Sequence, residues 1–413
     1  MKKNNPVIPR LGICDPHIHI FNNRAYLYAS HDRSIENKTW LMDDWQIWSS
    51  PDLVNWRFES DFNPKDTYIG TCERCWAVDA AKKNGQYYYY FSNGNDDIGV
   101  AVSKQPGGPF QDALKRPLLA KHATPSLQYD PTVFVDPDTD IAYLIWGCCT
   151  GDGYFIARLN ENMISFAEEP RQIRIDDGFA KDDKSFLHKK NGIYYLSWGS
   201  FYATSDQIYG PYQFRGTLGV SEDHGSFFSW NGQDFYAYTI FDPGYYYRGT
   251  GICYIHYCEN GEMRADQLIA EYGVGTYDSD WNKIQAEWYM RGAHIKKKEN
   301  VWGNFDIAGI TAQSSLSYPG IQNMAGKTQL HFFAASLSGD CTIEVWDERK
   351  GKKIGSCEIE KTGSYDHFGY RMFHCELNRK ENEDVLDLRL RFTKKENGKD
   401  ADELLRLDWF KFT

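Results

Sequence analysis

A turn dipeptide followed by alternating aromatic and apolar positions recurs five times in the first 240 residues. The copies are NNRAYLYAS (22–30), NGQYYYYFS (84–92), DTDIAYLIWG (138–147), NGIYYLSWGS (191–200) and NGQDFYAYT (231–239). Each reads as a hairpin turn feeding an inner strand. The repeats lie about 40 to 60 residues apart, the size of a propeller blade, and no convincing amphipathic helix interrupts them. After about residue 275 the phrase stops. YGVGTYDSDWNK (272–283) is rich in Gly and Asp and reads as a linker. Beyond it come short alternating strands, TQLHFFAASL, CTIEVWDE, KIGSCEIE, VLDLRLRFT and LLRLDWFKFT, evenly spaced as in a β-sandwich. The pattern predicts an all-β chain: a five-bladed β-propeller over 1–275, a linker over 276–283 and a β-sandwich of jelly-roll type over 284–413.

A second pattern accompanies the first. Each phrase is preceded by a segment with a polar residue near its start: CDPHIHIF (14–21), CWAVDAAKK (75–83), YDPTVFVD (129–136), DDKSFLHKK (182–190) and DHGSFFSW (223–230). Read as the innermost strands of a propeller, these line a central channel. Asp15, Asp79, Asp130, Asp183 and His224 are then expected to converge on one spot. Asp also terminates strands and opens turns for purely local reasons. Five acidic or His residues at similar offsets favour the shared site over that bland explanation.

The totals narrow the class. At 413 residues the chain is long enough for two domains. Aromatics make up 16%, with 28 Tyr and 13 Trp. That excess suits strands and also suits clefts that stack sugar rings. The net charge of −11 disfavours nucleic acid and anionic membranes as partners, and Lys296-Lys297-Lys298 reads as a solvated edge. No apolar run reaches the ~18 residues of a membrane span. MKKNNPVIPR lacks the apolar stretch of a signal peptide. Ten cysteines without framework spacing lean towards a reducing compartment, so the expectation is cytoplasmic, or periplasmic or secreted if a leader has been removed. Cys72 and Cys75 form a lone CxxC without the second pair a zinc site needs, and Cys148-Cys149 reads as core.

Clustered carboxylates on a rigid scaffold push their pKa values apart, leaving one ionised and one protonated near neutral pH. Facing each other, they are the machinery of glycoside hydrolysis, with roughly 6.5–9.5 Å between them when a water must fit. Metal binding is the competing use. CDPHIHIF, CWAVDAAKKNGQYYYYFS, YDPTVFVDPDTDIAYLIWG, KSFLHKKNGIYYLSWGSFYATSDQIYGPY and DHGSFFSWNGQDFYAYT together resemble glycoside hydrolase family 43, five-bladed propellers that include inverting arabinofuranosidases and xylosidases. The resemblance implies Asp15 as general base, Asp130 as the residue that tunes and orients the acid, His224 on the channel axis (where a calcium or an ordered water is compatible) and Arg248, in YYYRGTG, reaching into the site. The family places a Glu six residues before the Lys of the fourth phrase, and here that position is Asp183. Three readings stay open: Asp183 is the acid on a shorter arm; Asp182 or Glu73 (in CERCW) reaches in instead; or the site only binds. Asp44 and Trp45 in the loop after the first phrase, with Asp79, Trp76, Trp146 and Trp198, are candidate hydroxyl contacts and sugar-stacking walls.

IQAEWYM and LRLDWFKF resemble carbohydrate-binding module family 6 over 284–413. The resemblance implies Glu287 and Asp408 as holders of a structural calcium. Arg406 stands where that family has a sugar-contacting Asn, and GSYDHFGY, with Tyr365 and Phe368, replaces its Trp-rich loop. The domain is then a sugar binder or a buttress for the propeller. The functional expectation is an inverting exo-glycosidase that needs no cofactor for catalysis and acts on plant-polysaccharide side chains or oligosaccharides. The resemblance puts α-L-arabinofuranose first among the terminal sugars and β-D-xylose next. An exo-β-galactosidase on arabinogalactan and a non-catalytic carbohydrate-binding protein are the alternatives.

Overall fold

Four tight turns have both central residues at positive φ: Asn22-Asn23, Asn84-Gly85, Asn191-Gly192 and Asn231-Gly232. This is the type I′ geometry whose twist matches a β-hairpin, and Asn and Gly tolerate it best. Each turn closes the first hairpin of a sheet. The computed structural model describes residues 2–148, 153–176, 182–183, 185–221, 223–339, 341–394 and 403–413. Within it five meandering sheets follow one another. Their first hairpins are Ile13–Phe21 with Arg24–His31, Val78–Lys83 with Gln86–Asn93, Thr132–Val135 with Ala142–Cys148, Ser185–Lys190 with Ile193–Trp198, and Gly225–Trp230 with Gln233–Gly244. Two further strands complete each sheet, and Ile175–Asp176 adds a parallel edge to the fourth.

The five leading strands touch one another in a closed ring, the fifth returning to the first. That ring is the wall of the central channel. The aromatic excess fills the spaces between sheets: Tyr87, Tyr89, Phe91, Trp45 and Phe62 pack between the first and second, and Trp146 and Phe155 between the second and third. Because both faces of a blade are covered, the phrases read as near-continuous apolar runs instead of clean alternation.

The C-terminal part is two six-stranded sheets. One carries Ser315–Gln322, Leu386–Lys394 and Cys341–Asp347, and the other Phe305–Ala308, Arg406–Phe412 and Gln329–Ala335. Two expectations need correction here. The stretch read as a linker is built into the sandwich: Tyr277 pairs with Ile321 and is fully buried, since its ring packs against Tyr318. The lysine run is not all solvated. Lys297 donates to Gln233 and sits 2.9 Å from His256 Nδ1, and burial pushes its pKa down to about 8. These contacts hold the sandwich against the fifth blade. Gln233 Nε2 donates to the carbonyls of Glu287 (2.8 Å) and Tyr289 (2.7 Å). Gly232 is required there as well, because a Cβ would lie 2.3 Å from the Gly292 oxygen. Eight cysteines, including Cys72 and Cys75, are free thiols. Cys149 lies outside the described residues.

Candidate active site

The entry to the first leading strand carries Asp-Pro, and so does the segment before the third. Asp15 and Asp130 both sit in the left-handed region, with φ of 52° and 50°. A residue before proline avoids such backbone unless the surroundings impose it. The register shifts between Cys14 and His17, so the ladder breaks at Asp15. Irregularities of this kind re-aim a side chain. The Asp15 amide donates to Thr239 Oγ1 (2.9 Å) and the Asp130 amide to Ser92 Oγ (3.0 Å), which fixes both bends.

The two aspartates line a cavity of about 460 Å³ at this end of the channel, together with Asp183, Asp182, His224 and Arg248. Trp40, Trp76 and Tyr129 form part of its wall, and Phe241 and Tyr245 stand at its rim. Tyr129 Oη donates to Asp183 Oδ2 at 3.2 Å, and the Asp183 amide to Asp182 Oδ1 at 3.0 Å. His224 Nε2 lies 3.6 Å from Asp130 Oδ2.

Arg248 organises the floor. Its Nη1 donates to Asp15 Oδ1 (2.7 Å) and Asp223 Oδ2 (3.0 Å), while Nε and Nη2 both donate to Asp32 at 3.0 Å. All four side chains are buried. Burial alone would weaken the guanidinium's hold on its proton, but the surrounding carboxylates outweigh it and push its pKa well up. Burial raises Asp32, and the neighbouring Arg248 only partly offsets this. The Arg248 guanidinium also lies 4.5 Å from the ring centre of Trp40, a cation–π contact that ties the wall to the floor.

Of the residues expected from sequence, the structure brings Asp15, Asp130, Asp182, Asp183, His224, Arg248 and Trp76 to this cavity and leaves others out. Asp79 lies deeper in the channel, fully buried, where its Oδ1 accepts from His19 Nε2 (2.6 Å) and its Oδ2 from the Val133 amide (2.8 Å). Trp45, Trp146 and Trp198 are at most 1% exposed and cannot offer a face to a sugar. Trp45 instead donates to the Trp76 carbonyl at 2.7 Å and so props up a wall residue. Asp44 bonds His31 (2.6 Å), and Glu73 is an exposed partner of Arg33 (2.7 Å); neither lines the cavity. Asp32, Asp223, Trp40, Tyr129, Phe241 and Tyr245 were missed. The hydrogen bonds of Asp32 and Asp223 to Arg248 span 216 and 25 residues, and no local pattern announces them.

One ligand atom from each of Asp15, Asp223 and His224 falls within 4.8 Å of the others. A cation at His224 would share the Asp15 and Asp223 carboxylates with the Arg248 guanidinium. All four carboxylate oxygens already accept hydrogen bonds, three from Arg248 and one from the His224 amide. The other expected metal position differs. Glu287 Oε2 and Gln285 Oε1 are buried without a hydrogen-bond partner. Burial, with Asp306 nearby, pushes Asp408 up to about 7, and burial drives Glu287 well above its ordinary range. Desolvated, unsatisfied oxygens of this kind are what a hard cation takes as ligands. On the same domain, Arg406 lies 4.0 Å from the Tyr365 ring centre, covering one face of that ring, and bonds Glu403 at 3.2 Å. Phe368 is 88% exposed.

A ring of five meanders with a carboxylate-lined cavity at one end of its channel, followed by a β-sandwich, defines a propeller glycoside hydrolase with an accessory domain. The model of glycosyl hydrolases family 43 matches residues 3–200, and that of carbohydrate binding module family 6 matches 285–413. A xylosidase/arabinosidase of Bacteroides ovatus is 30% identical over 269 residues, covering 51% of this chain and 79% of that protein. An arabinoxylan arabinofuranohydrolase of Paenibacillus polymyxa is 26% identical over 99% of this chain and 74% of its own length. The fold of an arabinoxylan arabinofuranohydrolase from Bacillus subtilis superposes with a TM-score of 0.57 at 22% identity, covering 100% of this chain and 97% of that one. The chain belongs to glycosyl hydrolase family 43.

Proposed function

We propose that this chain releases a terminal pentose from plant-polysaccharide side chains or oligosaccharides with inversion at the anomeric carbon. α-L-Arabinofuranose is the first candidate and β-D-xylose the second. The observation that carries the reading is the single cavity lined by Asp15, Asp130 and Asp183 from three different leading segments. Relatives named as xylosidase/arabinosidase and arabinoxylan arabinofuranohydrolase support the choice of sugar.

Asp15 takes a proton from water as the water oxygen bonds to the anomeric carbon. The glycosidic C–O bond breaks on the opposite face, and Asp183 gives its proton to the departing oxygen. Arg248, donating to both Asp15 oxygens, orients the base. Tyr129 orients Asp183 and Asp130 faces His224, so each carboxyl keeps a fixed direction. Trp76 and Trp40 present aromatic area to the sugar being released.

The test targets the shorter arm. Asp183→Asn is expected to lower kcat/KM at least 100-fold on substrates whose leaving group is a sugar. A dinitrophenyl glycoside, whose leaving group needs no proton, should lose less than about tenfold. Equal losses on both substrates would remove Asp183 from the acid role. A wild type inert on arabinofuranosides, xylosides and galactosides alike, with activity appearing in Asp183→Glu, would favour the binding-only reading.

In the sandwich, Glu287, Asp408 and Gln285 would hold a calcium ion, which neutralises two buried carboxylates and satisfies the orphaned oxygens. Calcium should raise the thermal midpoint relative to chelator-treated protein, and Glu287→Gln should remove that difference. A midpoint indifferent to calcium in the wild type would exclude the site.

A further inference from the structure

Cys72 and Cys75 lie outside the catalytic cavity, yet their backbone is tied to its wall. Their loop runs alongside Met42 as a short parallel bridge. The Met42 amide donates to the Glu73 carbonyl (2.9 Å) and the Cys75 amide to the Met42 carbonyl (3.1 Å). Met42 lines the cavity, and so does Trp76, the residue after Cys75. Trp76 Nε1 in turn donates to the Trp40 carbonyl at 3.1 Å. Three wall residues are thereby coupled to the segment that carries the two thiols.

Among the described residues, eight cysteines are free thiols. Seven of them, Cys75 included, are buried, and Cys72 is partly exposed. The Cys75 thiol donates to Cys72 Sγ, so the two side chains already meet. The Arg74 amide donates to the same sulfur at 3.2 Å. The Cys75 hydrogen bond, helped by that amide, outweighs partial burial and brings Cys72 down to about 6 from its ordinary 9.0, while the same bond pushes Cys75 up. Of the charged and titratable groups that face the pair, Arg74 supports the thiolate and Asp43 opposes it, and Asp44 and Tyr68 stand nearby. A partly exposed thiolate backed by a buried thiol three residues on is the arrangement of an attacking and a resolving cysteine.

We propose that Cys72 and Cys75 form a reactive dithiol that low-molecular-weight disulfides convert into an intramolecular disulfide, and that this closure displaces the Met42–Trp76 wall of the cavity. The Cys72 thiolate attacks one sulfur of the external disulfide, whose S–S bond breaks and whose other half leaves as a thiolate. Cys75 then gives its proton to solvent and attacks Cys72 Sγ, and the second half leaves. Two protein thiols are oxidised and one disulfide is reduced to two thiols. The new bond needs its sulfurs about 2.05 Å apart, closer than any hydrogen-bonded pair. Cys75 is packed into the aromatic core between the first two sheets, so the backbone from Cys72 to Trp76 must shift. Asp15, Asp130 and Asp183 come from other segments and keep their places. Closure therefore weakens the hold on the sugar more than the bond-breaking step.

The test incubates the full chain with oxidised glutathione near pH 7, followed by mass and peptide mapping. Wild type is expected to lose the Cys72 and Cys75 thiols and to retain no glutathione on either. Cys75→Ala should stop with one glutathione on Cys72, and Cys72→Ser should leave Cys75 unmodified. Alkylation of wild-type Cys72 by iodoacetamide should reach half its plateau rate near pH 6. On an aryl glycoside the oxidised wild type should show KM raised at least threefold with kcat within twofold, reversed by dithiothreitol, and Cys72→Ser should show no such response. If Cys75→Ala fails to fold, wild type and Cys72→Ser decide. A stable glutathione adduct on wild-type Cys72, or no reaction there, overturns the dithiol. A disulfide that leaves KM unchanged overturns its coupling to the wall. The thiol chemistry is read whatever the chain hydrolyses, so its failure and that of the glycosidase reading stay distinct.

Discussion

Asp15→Asn is expected to lose hydrolysis by about 10³–10⁴-fold, the upper part of what a positioned acid or base contributes, with little change in thermal midpoint. Asn is nearly isosteric, so the left-handed bend at φ 52° and the amide bond to Thr239 persist. What it cannot do is accept a proton from water. The fold should survive because Arg248 keeps Asp32 on two of its nitrogens and Asp223 on a third contact. The wild-type profile of kcat/KM against pH should be bell-shaped: its acid limb reports protonation of the base and its alkaline limb loss of the proton from the acid. The residual activity of the variant should lack the acid limb. Measuring kcat/KM on an aryl glycoside from pH 4 to 9, alongside melting curves, separates the chemistry from a folding defect. A folded variant retaining a tenth of wild-type activity would show that Asp15 is not the base.

The hairpins were legible in the sequence because type I′ turns demand Asn or Gly at fixed places, and a meander follows from strands of even length between such turns. The cavity was legible only as far as register could be counted from those turns. Asp15 and His224 each stand seven residues before the Asn of their turn, and Asp183 stands eight before Asn191. Asp79 stands five before Asn84. Two residues along a strand are roughly 7 Å, which puts Asp79 below the cavity, paired with His19, while Trp76, eight before the same Asn, reaches the wall. The same count applied to Asp79 beforehand would have excluded it. The tryptophans failed for another reason. Period-two alternation distinguishes two faces of a strand, but in a propeller both faces are covered by neighbouring blades, so Trp45, Trp146 and Trp198 were as well placed for core as for cleft. Trp40, Phe241 and Tyr245 come from loops and a long hairpin, where no periodicity operates. Gln285 carried no charge to mark it, and only its unsatisfied oxygen beside the Glu287 segment reveals it.

Arg248→Met should be the most destabilising single change at the site, costing about 3–5 kcal/mol, the usual result of breaking a buried ion pair from one side. Methionine fills much of the volume and can still pack on Trp40, so the loss would come from charge and not from a cavity. Asp15, Asp32 and Asp223 would face one another without the cation that now bridges all three. The sign of the pH dependence follows from Asp32, whose pKa burial already raises above 3.8 despite Arg248. Without the guanidinium it rises further. A carboxyl with a folded pKa above its unfolded one favours the native state while protonated, and that contribution fades as pH climbs through the folded value. The gap in melting temperature between variant and wild type should therefore be smallest near pH 4 and widen towards neutrality. Arg248→Lys, keeping the charge but losing the fork that serves three carboxylates at once, should fall between the two in stability. Its activity should nevertheless stay close to that of the Met variant, because an ammonium cannot hold both Asp15 oxygens while also serving Asp32. A gap independent of pH would mean that the loss comes from packing around Trp40 and that the three carboxylates do not depend on Arg248 for their charge.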